Sequence, residues 1–73
     1  MSLVRKRSVS IRGHRTSISL EKPFLDELAV LAESRGMTLA ALIAEVDAAR
    51  NRDANLSSAL RLHVLAELKA RAG

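Results

Sequence analysis

Two hydrophobic periods divide the chain. Between Arg7 and Leu20 apolar and polar residues alternate. Val9 and Ile11 hold one parity, Thr16, Ile18 and Leu20 the other, and Ser8, Ser10, Ser17 and Ser19 fill the gaps. Period-two alternation with β-branched residues predicts a half-buried strand. The parity changes across Gly13-His14, so one unbroken strand cannot put both sets on one face, and Gly13 marks a turn or a bulge.

Beyond Glu21 the period becomes helical. Pro23 suits the first turn of a helix, and Phe24, Leu28, Leu31 and Ala32 recur on one face up to Arg35. Gly36 stands where a helix ends in a left-handed residue, and Thr38 is placed to cap the next helix. Leu39, Leu42, Ile43 and Val46 make its apolar stripe. A polar break, Arg50-Asn51-Arg52-Asp53, precedes a third helix capped by Asn55 or Ser57. There Leu56, Leu60, Val64 and Leu68 recur, with Leu62 and Leu65 widening the stripe.

Composition sharpens this outline. Phe24 is the only aromatic residue, and a core without large rings gains little area per residue, so oligomerisation is expected. A single strand has too few partners to stand alone. The simplest completion is an antiparallel ribbon across a twofold axis, with Thr16, Ile18 and Leu20 turned inward. The alternative pairs Arg7 to Arg12 with Arg15 to Leu20 as a hairpin turning at Gly13-His14.

Charge is segregated. Residues 1–20 carry Arg5, Lys6, Arg7, Arg12 and Arg15 with no acid, a net +5; residues 21–73 carry seven basic and eight acidic side chains, a net −1. Such asymmetry points to a polyanionic partner, most often nucleic acid. With no cysteine, disulfides, Cys-based zinc sites and thiol catalysis are excluded. The two histidines, His14 and His63, have no ligand spacing around them. No phosphate loop or nucleophile grouping is present, so neither a metal, a cofactor nor an enzyme activity is expected. No apolar run approaches the roughly 20 residues of a membrane span, and no membrane partner is expected.

The order strand, helix, Gly-x-Thr turn, helix resembles the ribbon-helix-helix family, the Arc- and MetJ-like bacterial regulators. The matching residues are Arg15 to Leu20 as ribbon, Pro23 to Arg35, Gly36-Met37-Thr38, and Leu39 to Arg50. The stretches IRGHRTSISLE, RGMTLAALIAEVD and NLSSALRLHVL extend the likeness, which looks like that of a compact bacterial subfamily. The resemblance implies a mainly α fold with a short β-ribbon: an intertwined homodimer with an intermolecular two-stranded sheet, plus a third C-terminal helix. Residues 1–14 would be a basic arm or extra strand, 15–50 the core, and 51–73 the added helix.

It further implies a cytoplasmic, nucleoid-associated regulator of transcription that binds double-stranded DNA sequence-specifically, its ribbon in the major groove. Arg15, Ser17 and Ser19 would read bases. Arg5, Lys6, Arg7, Arg12 and His14 would contact phosphates, together with the second helix's N-terminus at Thr38, Leu39 and Ala40. The dimer core would hold Thr16, Ile18, Leu20, Phe24, Leu28, Leu31, Leu39, Leu42, Ile43 and Val46. The competing expectation is a protein-interaction module, or an antitoxin, using the same dimer fold. In it the third helix docks a protein partner or joins dimers into tetramers. RNA is disfavoured because no aromatic pair exists to stack bases.

Overall fold

A computed structural model describes residues 4–11, 13–51, 53 and 55–72. Strands β1 (Val4–Ile11) and β2 (His14–Glu21) are followed by helices α1 (Lys22–Ser34), α2 (Leu39–Ala49) and α3 (Leu56–Ala72). The two strands form one antiparallel sheet, with Ile11 opposite His14, Val9 opposite Thr16 and Ser8 opposite Ser17.

The β1–β2 ladder forms inside the chain, as in the hairpin alternative, but His14 pairs with Ile11 as the first residue of β2 and does not stand at the tip. The register explains the parity change. A two-residue connection sets odd positions of β1 opposite even positions of β2, so Val9, Ile11, Ile18 and Leu20 all bury toward the helices. Gly13, at φ +80°, supplies the left-handed conformation that so short a connection needs.

The helix boundaries follow local chemistry. Pro23 lies in the first turn of α1, where its missing N–H costs nothing. The helix ends in a Schellman arrangement. Gly36 donates its N–H to the Glu33 carbonyl (3.0 Å) and Met37 to the Ala32 carbonyl (2.8 Å), around Gly36 at φ +67°. Thr38 Oγ1 accepts the Ala41 N–H at 3.0 Å and starts α2. Of the two residues expected to cap α3, Asn55 does so: its Oδ1 accepts the Ser58 N–H at 2.7 Å.

The core lies between the sheet's inner face and the three helices. Val9, Ile11, Ile18, Leu20, Leu28, Leu31, Ala32, Leu42, Ile43, Val46, Leu60 and Val64 are buried, and Phe24, Leu39 and Leu56 pack half-buried against them. Arg35, just beyond α1, ties the helices together, 2.6 Å from Glu67 of α3 and 3.9 Å from Glu45 of α2.

One expectation is corrected on α3. Leu62, Leu65 and Leu68 are 63%, 50% and 41% exposed, outside the core. A four-residue repeat drifts about 40° per step on a helix of 3.6 residues per turn, which carries Leu68 away from the line through Leu60 and Val64.

Three substitutions test this packing. Leu42→Ala should destabilise the fold by about 2–5 kcal/mol through lost burial and a residual cavity. An added Cβ at Gly36 meets nothing within 4 Å, so its cost is confined to the backbone. Gly36→Ala should therefore cost about 1–2 kcal/mol, and Gly36→Asn less. Urea unfolding curves monitored by circular dichroism measure all three.

Candidate nucleic-acid interface

The hairpin sorts its polar residues by face. Arg15, Ser17 and Ser19 lie on the sheet's outer face, turned away from the helices, and all three are exposed. Their cross-strand partners are Ser10, Ser8 and Lys6. Opposite residues share a face, so one surface carries four serines with Lys6 and Arg15 as its long cationic side chains.

Membership of Lys6, Ser8 and Ser10 in this face was not read from the sequence. The signal was there: the serines alternate on both sides of Gly13, and a two-residue loop brings the two sets onto one side.

The remaining basic residues are spread over other surfaces. Arg5 and Arg7 have inner-face parity but lie beyond the buried stretch, exposed. With Lys6, Lys22, Leu25 and Asp26 they line an open hollow of about 270 Å³. Its single carboxylate, Asp26, is held by Lys22 Nζ at 3.0 Å. Arg5, Lys6 and Arg7 belong to β1. His14 opposes Ile11 and so has the parity of the inner face. It lines a hollow of about 310 Å³ with Ile11, Thr16, Ser17, Asp47, Arg50 and Leu56. Arg12 lies outside the described residues.

The N-terminus of α2 is built as a polar terminus. Thr38 Oγ1 serves the Ala41 amide, while the amides of Leu39 and Ala40 have no acceptor among the described residues. Asp47 and Arg50, at the other end of α2, adjoin the hairpin tip. Thr38 therefore sits about 16 Å away along the helix axis.

The far edge of β2 is held by α3. Ser57 Oγ accepts the Ser19 N–H at 3.4 Å, and Arg61 Nε reaches Glu21 Oε1 at 3.0 Å. Hydrogen bonding from Glu21's own backbone N–H, and then from Arg61, holds the Glu21 carboxyl below the usual carboxylate range.

Among the described residues no group of three or more His, Asp or Glu side chains is arranged to hold a metal ion. No helix among them is long and apolar enough to cross a membrane.

A two-stranded antiparallel ribbon leading into a helix pair, with a Gly-x-Thr turn between the helices, defines a class of DNA-binding regulator folds rather than of enzymes. The chain belongs to the ribbon-helix-helix domain family, whose sequence profile matches residues 4–68. No curated protein and no solved structure matches it.

The lowered Glu21 pKa has a testable sign. A carboxylate held more acidic in the folded state than in the unfolded chain adds stability above its unfolded pKa. That stability is lost as pH falls through the folded pKa. Glu21→Gln should lower the urea midpoint at neutral pH, and the gap to wild type should close on acidification through the carboxylate range. A gap independent of pH would exclude this linkage.

Proposed function

We propose that the chain is a sequence-specific, DNA-binding regulator of transcription, acting as a homodimer in the bacterial cytoplasm at the nucleoid. One observation carries the reading: the sheet's outer face is exposed, wholly polar from Lys6 to Ser10 and from Arg15 to Ser19, and cationic. It belongs to the segment that holds the chain's entire positive excess. An exposed β-ribbon of this kind is shaped for a major groove, where base edges present a distinct donor and acceptor code.

Within this reading Arg15 bonds a guanine edge in bidentate fashion, and Ser17 and Ser19 add short contacts, directly or through water. Lys6, on the same face of the neighbouring strand, contacts a phosphate. Arg5 and Arg7 contact phosphates, and the open amides of Leu39 and Ala40 at the start of α2 offer a further anion contact. No cofactor, metal or catalytic step enters.

A second reading is favoured by one specific observation, the exposure of Leu62, Leu65 and Leu68 on α3. These leucines suit a protein partner, which would make the domain an interaction module or an antitoxin.

Fluorescence anisotropy of a duplex from the gene's own upstream region, beside a scrambled duplex and at several salt concentrations, separates the two. Tight, salt-sensitive preference for the native duplex supports the regulator. No binding to either duplex at low salt overturns it in favour of the second reading. Arg15→Ala should weaken binding by about 1–3 kcal/mol at a guanine-containing site and relax specificity there. Lys6→Ala should reduce the slope of log K against log salt by about 1 for each phosphate contact removed. Equal loss from Arg15→Ala on every duplex would reassign that residue to phosphate.

A further inference from the structure

The register of the hairpin gathers positive charge at one corner of the molecule. Val4 stands opposite Glu21, and α1 begins at the next residue, so the start of β1 lies beside the first turn of that helix. Arg5, Lys6 and Arg7 thus meet Lys22, Leu25 and Asp26 around an open hollow of about 270 Å³. Four cations and one carboxylate leave its lining a net +3.

The acids at this corner are already engaged. Both oxygens of Asp26 accept from Lys22 Nζ, at 3.1 and 3.0 Å. Glu21 is held by Arg61 at 3.0 Å. Among the described residues no carboxylate pairs with Arg5, Lys6 or Arg7. Three successive cations therefore line one hollow without a counter-charge. They repel one another, and an anion seated among them relieves that repulsion.

The hollow and the serine face share one residue. Arg5 and Arg7 have the parity of the sheet's inner face, opposite to the serines, whereas Lys6 has that of the outer face. Lys6 lines the hollow and also stands opposite Ser19 on the face assigned to DNA.

We propose that the hollow binds a compact anion of two linked phosphoryl groups, and that its occupancy opposes DNA binding through Lys6. The site stands on the charge geometry, and the coupling rests on the regulator reading above. A phosphoryl group carries about −1.5 to −2 at neutral pH, so the net +3 is matched by two such groups and not by one. Arg5 and Arg7 bring planar forks that bond phosphate oxygens in pairs, and Lys22 adds a point charge from α1. The volume stands at the lower end of ligand sites, which suits so small an anion.

Isothermal titration calorimetry of the full chain with pyrophosphate, orthophosphate and sulfate, at matched ionic strength, tests the site. Pyrophosphate should bind once per chain and more tightly than either of the others. Asp26→Asn removes the carboxylate from the lining and frees Lys22. It should tighten pyrophosphate by up to about fivefold, the range of exposed ion pairs. Loss of structure cannot mimic a gain of binding. Glu33→Gln changes the net charge equally, but its exposed carboxylate lies about 10 Å further along α1, beyond the screening length of about 8 Å at physiological salt. It should leave the affinity unchanged, and Arg7→Gln should lower it several-fold.

Equal affinity for pyrophosphate and orthophosphate would mean a diffuse surface field and would overturn the site. Equal gains from Asp26→Asn and Glu33→Gln would do the same. Duplex anisotropy at fixed ionic strength reads the coupling: saturating pyrophosphate should weaken duplex binding, and Lys6→Gln should diminish that loss. Duplex affinity untouched by bound pyrophosphate overturns the coupling. A chain that binds duplex but no pyrophosphate overturns the site and leaves the regulator. Pyrophosphate binding without duplex binding overturns the regulator and leaves the site.

Discussion

The ladder between β1 and β2 is the constraint on which the rest of the molecule depends. It is closed by a two-residue connection at Gly13, and its register decides which side chains face the helices. With odd positions of β1 opposite even positions of β2, four branched apolar residues fall on one face and the serines on the other. A slip of one residue on either strand would turn an apolar set toward solvent and a serine set into the core. The hydrophobic burial of Val9, Ile11, Ile18 and Leu20 therefore locks the register, and the locked register composes the polar outer face.

A two-stranded hairpin is marginal in water unless something covers it. Here the helices cover its inner face, and α3 also takes one edge through Ser57 and Arg61. That second contact gives α3 a role beyond filling the core: it touches the end of β2 at Ser19 and Glu21. The ion pair it uses sits at the junction where β2 turns into α1. The contact of α3 with β2 and the start of the first helix thus meet at one carboxylate.

The helical half of the fold was legible in the sequence because its signals are local. Pro23, Gly36 and Thr38 each act within one turn of the backbone, and each is found in the role its chemistry suggested. The strand pairing was less legible. Alternation tells which residues share a face of one strand, but not whether the partner strand comes from the same chain, since both solutions satisfy the same ladder. The outer face was half read for that reason. Arg15, Ser17 and Ser19 follow from parity alone, whereas Lys6, Ser8 and Ser10 join them only once the register is known. The leucines of α3 misled because periodicity marks an apolar stripe without saying how much of it a neighbour covers.

The chemistry of the outer face constrains how DNA recognition would divide its labour. Serine hydroxyls donate or accept with equal ease and reach only a short way, so a serine discriminates weakly between base edges by direct contact. On the proposed reading the long side chains, Lys6 and Arg15, would bring positive charge to the polyanion and, with Arg5 and Arg7, contribute to affinity and its salt dependence. With this inventory, Arg15, whose guanidinium is a rigid fork of donors, would be the best suited to a bidentate base contact. On the proposed reading, discrimination at the other positions would pass through bridging water and through the shape and deformability of the duplex. A flat hydroxyl-lined face is suited to that task, since it admits water and approaches the groove closely without steric demands of its own.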